Sequence, residues 1–294
     1  MLNVLIVTDS SASFPDRSTL SSPNLHVIPS RIKLGDQVLL EGVDIPTREV
    51  WEKIRGGSPK PVVEPPSALD FYKVFQAASK RYDGILSIHA SAALSDSFRN
   101  AQAAADRISG RCEVAQIDSQ SLCVGQALLA AEALRLLGSV SSFDELERGV
   151  RTQTARLFAI YYVESTEALL HNDIVSAEHS VLSAMLGVKP LLTIDDGKVV
   201  TTGKARTRAQ IVDQLVEFAQ GFVAFDAAVV IQPDLAQRSE TTRALLNRLT
   251  ETFPGKSFTL SGYSPAMASI LGQHAGGLVI LGSRLGEEHG SYED

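Results

Sequence analysis

The residues best equipped for chemistry sit close together, where His89 is followed by Ser91, Ser95 and Ser97 with Asp96 among them. The apolar residues Ile85, Leu86 and Ile88 lead in, and Phe98, Ala101, Ala105 and Ile108 lead out at helical spacing. The pattern predicts a strand, a hydroxyl-rich loop and a helix, with Ser95 as the helix cap. Hydroxyls and an imidazole at the carboxyl end of a strand, beside the positive end of a helix, suit an oxyanion. A structural role competes with this, because Ser begins many helices and His89 can serve as an internal hydrogen-bonding residue.

Other chemistries find less support. Ser91, His274 and Asp9 are the parts of a serine hydrolase, but no G-x-S-x-G elbow accompanies them. No Walker loop or dinucleotide fingerprint follows any strand, so no nucleotide cofactor is expected. The glycines around His274 (Gly272, Gly276 and Gly277) allow close backbone approach to a ligand, with His274 as a donor, or else form an ordinary turn. The six histidines are scattered without metal-ligand spacing, and no metal is expected. Cys112 and Cys123 are expected to be buried small apolar side chains, with no disulfide framework.

The whole chain has 294 residues, 44% apolar and 21% charged, with a formal net charge of −7. That length allows two domains or one large α/β domain. The negative balance, with no basic stripe interleaved with aromatics, argues against nucleic acid as a partner. The apolar start from Val4 to Val7 reads as a first strand and not a signal peptide. No apolar run approaches the roughly 18 residues of a membrane span, so the expectation is a soluble, cytoplasmic protein without an integral membrane segment.

Strands and helices alternate through the first half. His26 to Ile32, interrupted by Pro29, reads as one short extended element, and the prolines from Pro59 to Pro66 as an extended linker. Thr47 is placed to cap a helix carrying Val50, Trp51 and Ile54, and Ser67 with Asp70 forms a capping box. Fully apolar strands predict a parallel sheet covered on both faces, with ligands outside the strands' carboxyl ends, near Asp9, Ser91 and Asp118. After Ala155 the rhythm changes. Asp195, Asp196 and Gly197 signal a hairpin, hence a mixed sheet, and a helix is expected from Ala177 to Leu186. The division is therefore a parallel α/β/α domain over 1–155, a mixed-sheet α/β domain over 156–285, and a disordered tail over 286–294.

Several pieces in colinear order resemble the DegV family. Thr8, Asp9, Ser10 and Ser11 look like its opening signature, followed by Val27-Ile28-Pro29, Gly35, and Glu41 to Ile45. Pro66-Ser67, Ile88-His89 with Ser91, Leu94-Ser95, Asp118-Ser119, Gly187 to Leu191, Lys204 to Arg208, and Gly272 to Gly276 continue it. The resemblance implies a two-domain α/β protein that buries one long-chain fatty acid in the cleft between its domains. It also implies a non-catalytic role, in which some members present the carboxylate to a separate fatty acid kinase subunit. Burying about 14 methylenes at roughly 0.8 kcal/mol each is worth on the order of 11 kcal/mol gross, so a few polar groups suffice to orient the head group.

On this resemblance the expected ligand residues are Ser91, Ser95 and His274, with Arg206 as a further candidate. Val63 stands where the family carries a head-group Thr, with Glu64 beside it. Asp96 adds a negative charge to the hydroxyl loop, and Asn172-Asp173-Ile174-Val175 replaces a Gly-Gly-Arg-Ile segment. These departures favour, as the alternative, another amphiphile without a kinase partner. The serine hydrolase remains a third possibility.

Overall fold

The computed structural model describes residues 2–56, 61–108, 110, 112–176, 185–233, 235–236 and 238–283. Most of the helix expected from Ala177 and the tail from Gly286 lie outside the described residues. The first half is built on β1 (Val4–Asp9), whose residues are all buried. A strand buried on both faces needs cover on both, and the sequence supplies it as alternating helices. Parallel neighbours are β2 (Leu25–Ile28), β6 (Gly84–His89) and β7 (Glu113–Asp118), in the order β2-β1-β6-β7. Leu5, Val7 and Ile85 face α2 (Ala68–Ala78) and α3 (Ser97–Ala105). Val4, Ile6 and Leu86 face α4 (Val124–Leu136) and α5 (Phe143–Thr154).

The element expected from His26 to Ile32 is two strands in different sheets, broken at Pro29, which has no N–H to extend the ladder. The second part, β3 (Arg31–Leu34), pairs antiparallel with β4 (Gln37–Leu40) and with β5 (Val62–Glu64). β5 lies inside the stretch read from its prolines as a linker. Those prolines flank the paired residues, and Lys33 Nζ meets Glu64 Oε1 at 2.5 Å. This small sheet packs Ile32 and Leu34 against Val50 of α1 (Thr47–Gly56).

The second half is a six-stranded mixed sheet. Its strands are β8 (Leu157–Val163), β9 (Lys189–Asp195), β10 (Lys198–Ala205), β11 (Phe225–Gln232), β12 (Thr259–Gly262) and β13 (Ala275–Gly282). The order is β10-β9-β8-β13-β11-β12, and only β11 and β12 pair in parallel. Asp196 (φ 46°) and Gly197 (φ 74°) form the hairpin turn foreseen from their sequence. Gly276 and Gly277 lie in β13, where a Cβ on Gly277 would stand 2.3 Å from the Ile160 carbonyl oxygen. Close strand packing, not a ligand, accounts for these two glycines.

One sheet face packs on α7 (Arg208–Gln220) and α8 (Glu240–Thr252) through Leu191, Leu215, Leu245 and Leu278. The other face meets the first half. There Tyr161, Val229, Ile231 and Val279, with Met267 of α9 (Pro265–Leu271), form one cluster with Trp51, Leu122 and Val124. Trp51 and Tyr263 stack edge-on at 5.3 Å between ring centroids. A short helix, α6 (Glu167–His171), adds Leu169 to the same cluster.

Candidate functional site

The carboxyl ends of β1 and β6 carry a polar network that is wholly buried. Asp9 Oδ2 accepts from His89 Nδ1 at 2.7 Å, and His89 Nε2 meets Ser87 Oγ at 2.6 Å. Asp9 Oδ1 accepts from the Ser11 backbone N–H at 3.0 Å and from the Ser11 hydroxyl. Gln126 of α4 closes the ring, donating to Thr8 Oγ1 at 2.9 Å and to Asp9 Oδ2 at 3.3 Å, and its Oε1 lies 2.9 Å from Ser11 Oγ, whose single hydrogen it shares with Asp9. Burial pushes the Asp9 carboxyl up, but the hydrogen bond and charge of His89 and the Ser11 donors outweigh it and hold Asp9 below the usual range. Every arm is satisfied, so a buried carboxylate is tolerated here.

Glu41 stands behind this network, 4% exposed. Ser10 Oγ donates to its Oε2 at 2.8 Å and Thr47 Oγ1 to its Oε1 at 3.0 Å. Burial nevertheless lifts the Glu41 pKa to about 7, with the charge of Asp9 adding to the shift. Ser10 Oγ also accepts from the Ser30 N–H at 2.9 Å, which links Glu41 to the next layer.

That layer is a cleft of about 200 Å³ between the two halves. Asp9, Ser30, Val63, Ser95, Asp96, Ser97 and Cys123 reach it from the first half, and Asn172, Ser264, Met267 and Ile270 from the second. Ser97 Oγ lies 3.3 Å from Ser95 Oγ, and Ser95 Oγ accepts from the Ser97 N–H at 3.2 Å. The helix thus begins at Ser97 with Asp96 at the cap position, one residue later than expected, and the Ser95 hydroxyl still meets its first N–H. Cys123 precedes α4 at φ 52°, ψ −101°, and its Sγ accepts from the Ser264 N–H at 3.3 Å, tying the halves together. The other cysteine, Cys112, is only half-buried. Leu94 and Ile270 pack against the apolar cluster between the halves, so the polar cleft borders an apolar interior.

The site residues read from the sequence divide. Ser95 and Val63 line the cleft. Ser91 is buried beside it, where its hydroxyl donates to the Gly197 carbonyl at 2.6 Å and accepts from the Ala93 N–H. A Cβ at Gly197 would come within 2.5 Å of that oxygen. Ser91 therefore joins the loop after β6 to the hairpin of the second half. His274 is exposed, in the turn before β13, and Arg206 is exposed, its N–H spent on Gln210 Oε1 at the start of α7. Neither is among the lining residues. The Ser91, His274 and Asp9 triad is not assembled, because Asp9 is bonded to His89 and Ser91 to Gly197. Ser30 and Ser264, which the sequence did not single out, are brought to the cleft from far apart in the chain.

A larger groove of about 940 Å³ lies along Phe158, Phe218, Phe222 and Val223 on the outer side of the mixed sheet. Among its described lining residues there is no cluster of hydroxyls like that of the cleft. Among the described residues, no group of His, Cys, Asp and Glu could hold a metal ion, and no helix is long and apolar enough to cross a membrane.

Comparison with known proteins adds the family. The DegV family model matches residues 3–283. The chain belongs to the DegV family. It is 30% identical over 291 residues to the DegV domain-containing protein SCO2569 of Streptomyces coelicolor, covering 96% of this chain and 99% of that one. Among solved DegV structures, the fatty-acid-binding protein SAG1342 of Streptococcus agalactiae superposes with a TM-score of 0.84 at 19% identity, over 97% of this chain and 100% of that one. A fatty-acid-binding DegV family protein of Thermus thermophilus gives 0.82 at 22% identity, over 96% and 100%. The parallel sheet followed by a mixed sheet is thus the DegV fold, as expected from the sequence.

Proposed function

We propose that this protein binds one long-chain lipid of the fatty-acid type, with the head group in the cleft between the halves. The observation that carries this reading is the junction itself, a hydroxyl-lined cleft at the parallel strands' carboxyl ends that borders an apolar cluster. Two DegV relatives that share the fold are described as fatty-acid-binding, which supports the same ligand class here. In this reading Ser95, Ser97 and Val63 stay at the head group, while Ser91 serves the contact between the halves. A cleft of about 200 Å³ is below the roughly 300–1,000 Å³ of most small-molecule sites. It holds the head group and the first methylenes, and the remaining chain enters where Leu94, Met267 and Ile270 divide it from the apolar cluster. Binding and orientation need no catalytic base, so the protein acts as a carrier and not as an enzyme. Handing the lipid to a fatty acid kinase subunit, the partner implied by the resemblance, is a separate step that binding does not require.

Native mass spectrometry of the purified protein, with and without added oleate, tests the reading. One lipid per chain is expected, released by organic extraction. A clean apo mass that oleate leaves unchanged would overturn it.

A further inference from the structure

We infer that the cleft selects a lipid whose head group is uncharged and carries an O–H, a protonated acid or an alcohol, over a carboxylate anion. This deepens the lipid-binding reading above and rests on it. The first observation is charge. Among the described residues lining the cleft there is no Lys, Arg or His, and the ionisable carboxylates are Asp9 and Asp96. The starts of α3 and α4 face it, and each supplies roughly half a positive charge. With Asp9 held by His89 and Asp96 by Arg99, these partial charges are what remains, and no side-chain cation is left over to pair with an anion. Asp96 spends its charge on Arg99 at the surface, and Glu41 lies behind Ser10 and Ser30.

The second observation is the pattern of free donors and acceptors. Ser30 is 1% exposed; its N–H goes to Ser10 Oγ and its carbonyl accepts from the Glu41 N–H. Its hydroxyl has no hydrogen-bond partner among the described residues, and Ser30 lines the cleft. Ser97, also 1% exposed, has a hydroxyl hydrogen without an acceptor among those residues. Across the cleft, Asn172 spends both amide hydrogens on the Ala168 and Ser269 carbonyls, each at 2.8 Å, which leaves Oδ1 as an acceptor. An O–H group can accept from the serines and donate to Asn172, whereas a carboxylate only accepts and would be desolvated without a cation.

Eight-carbon probes test this without micelles. Octanoate and 1-octanol are titrated into the purified full-length chain by ligand-observed NMR between pH 6 and 8. A simple carboxylic acid titrates near 4 to 5, so its neutral form falls about tenfold per pH unit over that range. The expected result is octanol binding that is flat with pH and octanoate binding that weakens about a hundredfold across the range. Octanoate binding that is flat with pH and tighter than octanol would overturn the inference and leave lipid binding standing. Failure of both probes at every pH, together with a clean apo mass in the presence of oleate, would overturn lipid binding itself. Ser30→Ala and Ser97→Ala, each checked for an unchanged melting temperature, should each weaken octanol several-fold, and unchanged affinity in both would refute the assigned donors.

Discussion

Glu41→Gln isolates the free energy stored in one buried acid. The Glu41 pKa is 4.5 in the reference state and about 7 in the folded protein. A folded value above the unfolded one means that the native state holds the proton more tightly. Its contribution is therefore fully present below about pH 4.5 and is lost as the pH rises through 7. A difference of roughly 2.5 units at 1.36 kcal/mol each amounts to about 3 kcal/mol. Gln mimics the neutral acid in size and can still hydrogen-bond to Ser10 and Thr47, whose hydroxyls both accept and donate. Urea unfolding of both proteins at pH 4.5, 6 and 8 gives the difference directly. The variant should match the wild type at pH 4.5 and exceed it by about 3 kcal/mol at pH 8. His26, which burial pushes down, slopes the opposite way near neutrality but cancels in this difference. Parallel stability profiles for the two proteins would refute the reasoning.

Two further perturbations probe the frame of the site. Ser91→Ala removes the hydrogen bond to the Gly197 carbonyl and should cost about 1 kcal/mol, read as a lower urea midpoint. Gly197→Ala adds a Cβ at positive φ against the same hydroxyl and should cost about 1–3 kcal/mol, so a neutral result would remove Ser91 from the junction. Asp9→Ala strands the His89, Ser11 and Gln126 donors and should cost about 3–5 kcal/mol at pH 7. Because the Asp9 pKa is lowered, its contribution is present above 3.8 and lost as pH falls through the folded value. The gap between this variant and the wild type should accordingly narrow in strong acid.

What could be read from the sequence was whatever its local pattern dictates. The apolar runs of β1 and β6, the capping box at Ser67 with Asp70, and the Asp196-Gly197 turn are all present. The three-stranded sheet escaped because its pairing joins segments about 30 residues apart and one lies between prolines. The site was only half legible. Ser95 belongs to a visible loop, but the partners of His89 and the hydroxyl of Ser30 depend on which strand ends become neighbours. His274 illustrates the converse: glycines that suggested a ligand loop serve close packing of β13 on β8, leaving the histidine outside.

Trp51 is the sole tryptophan of the chain, 5% exposed and set against Tyr263 in the seam between the halves. The protein therefore carries its own optical gauge. Any parting of the halves that admits an acyl chain moves the indole from an apolar to a wetter setting, and its emission shifts to the red. Admission and release of a ligand can be timed by stopped-flow fluorescence on the unmodified chain, with Trp51→Phe as the dark control.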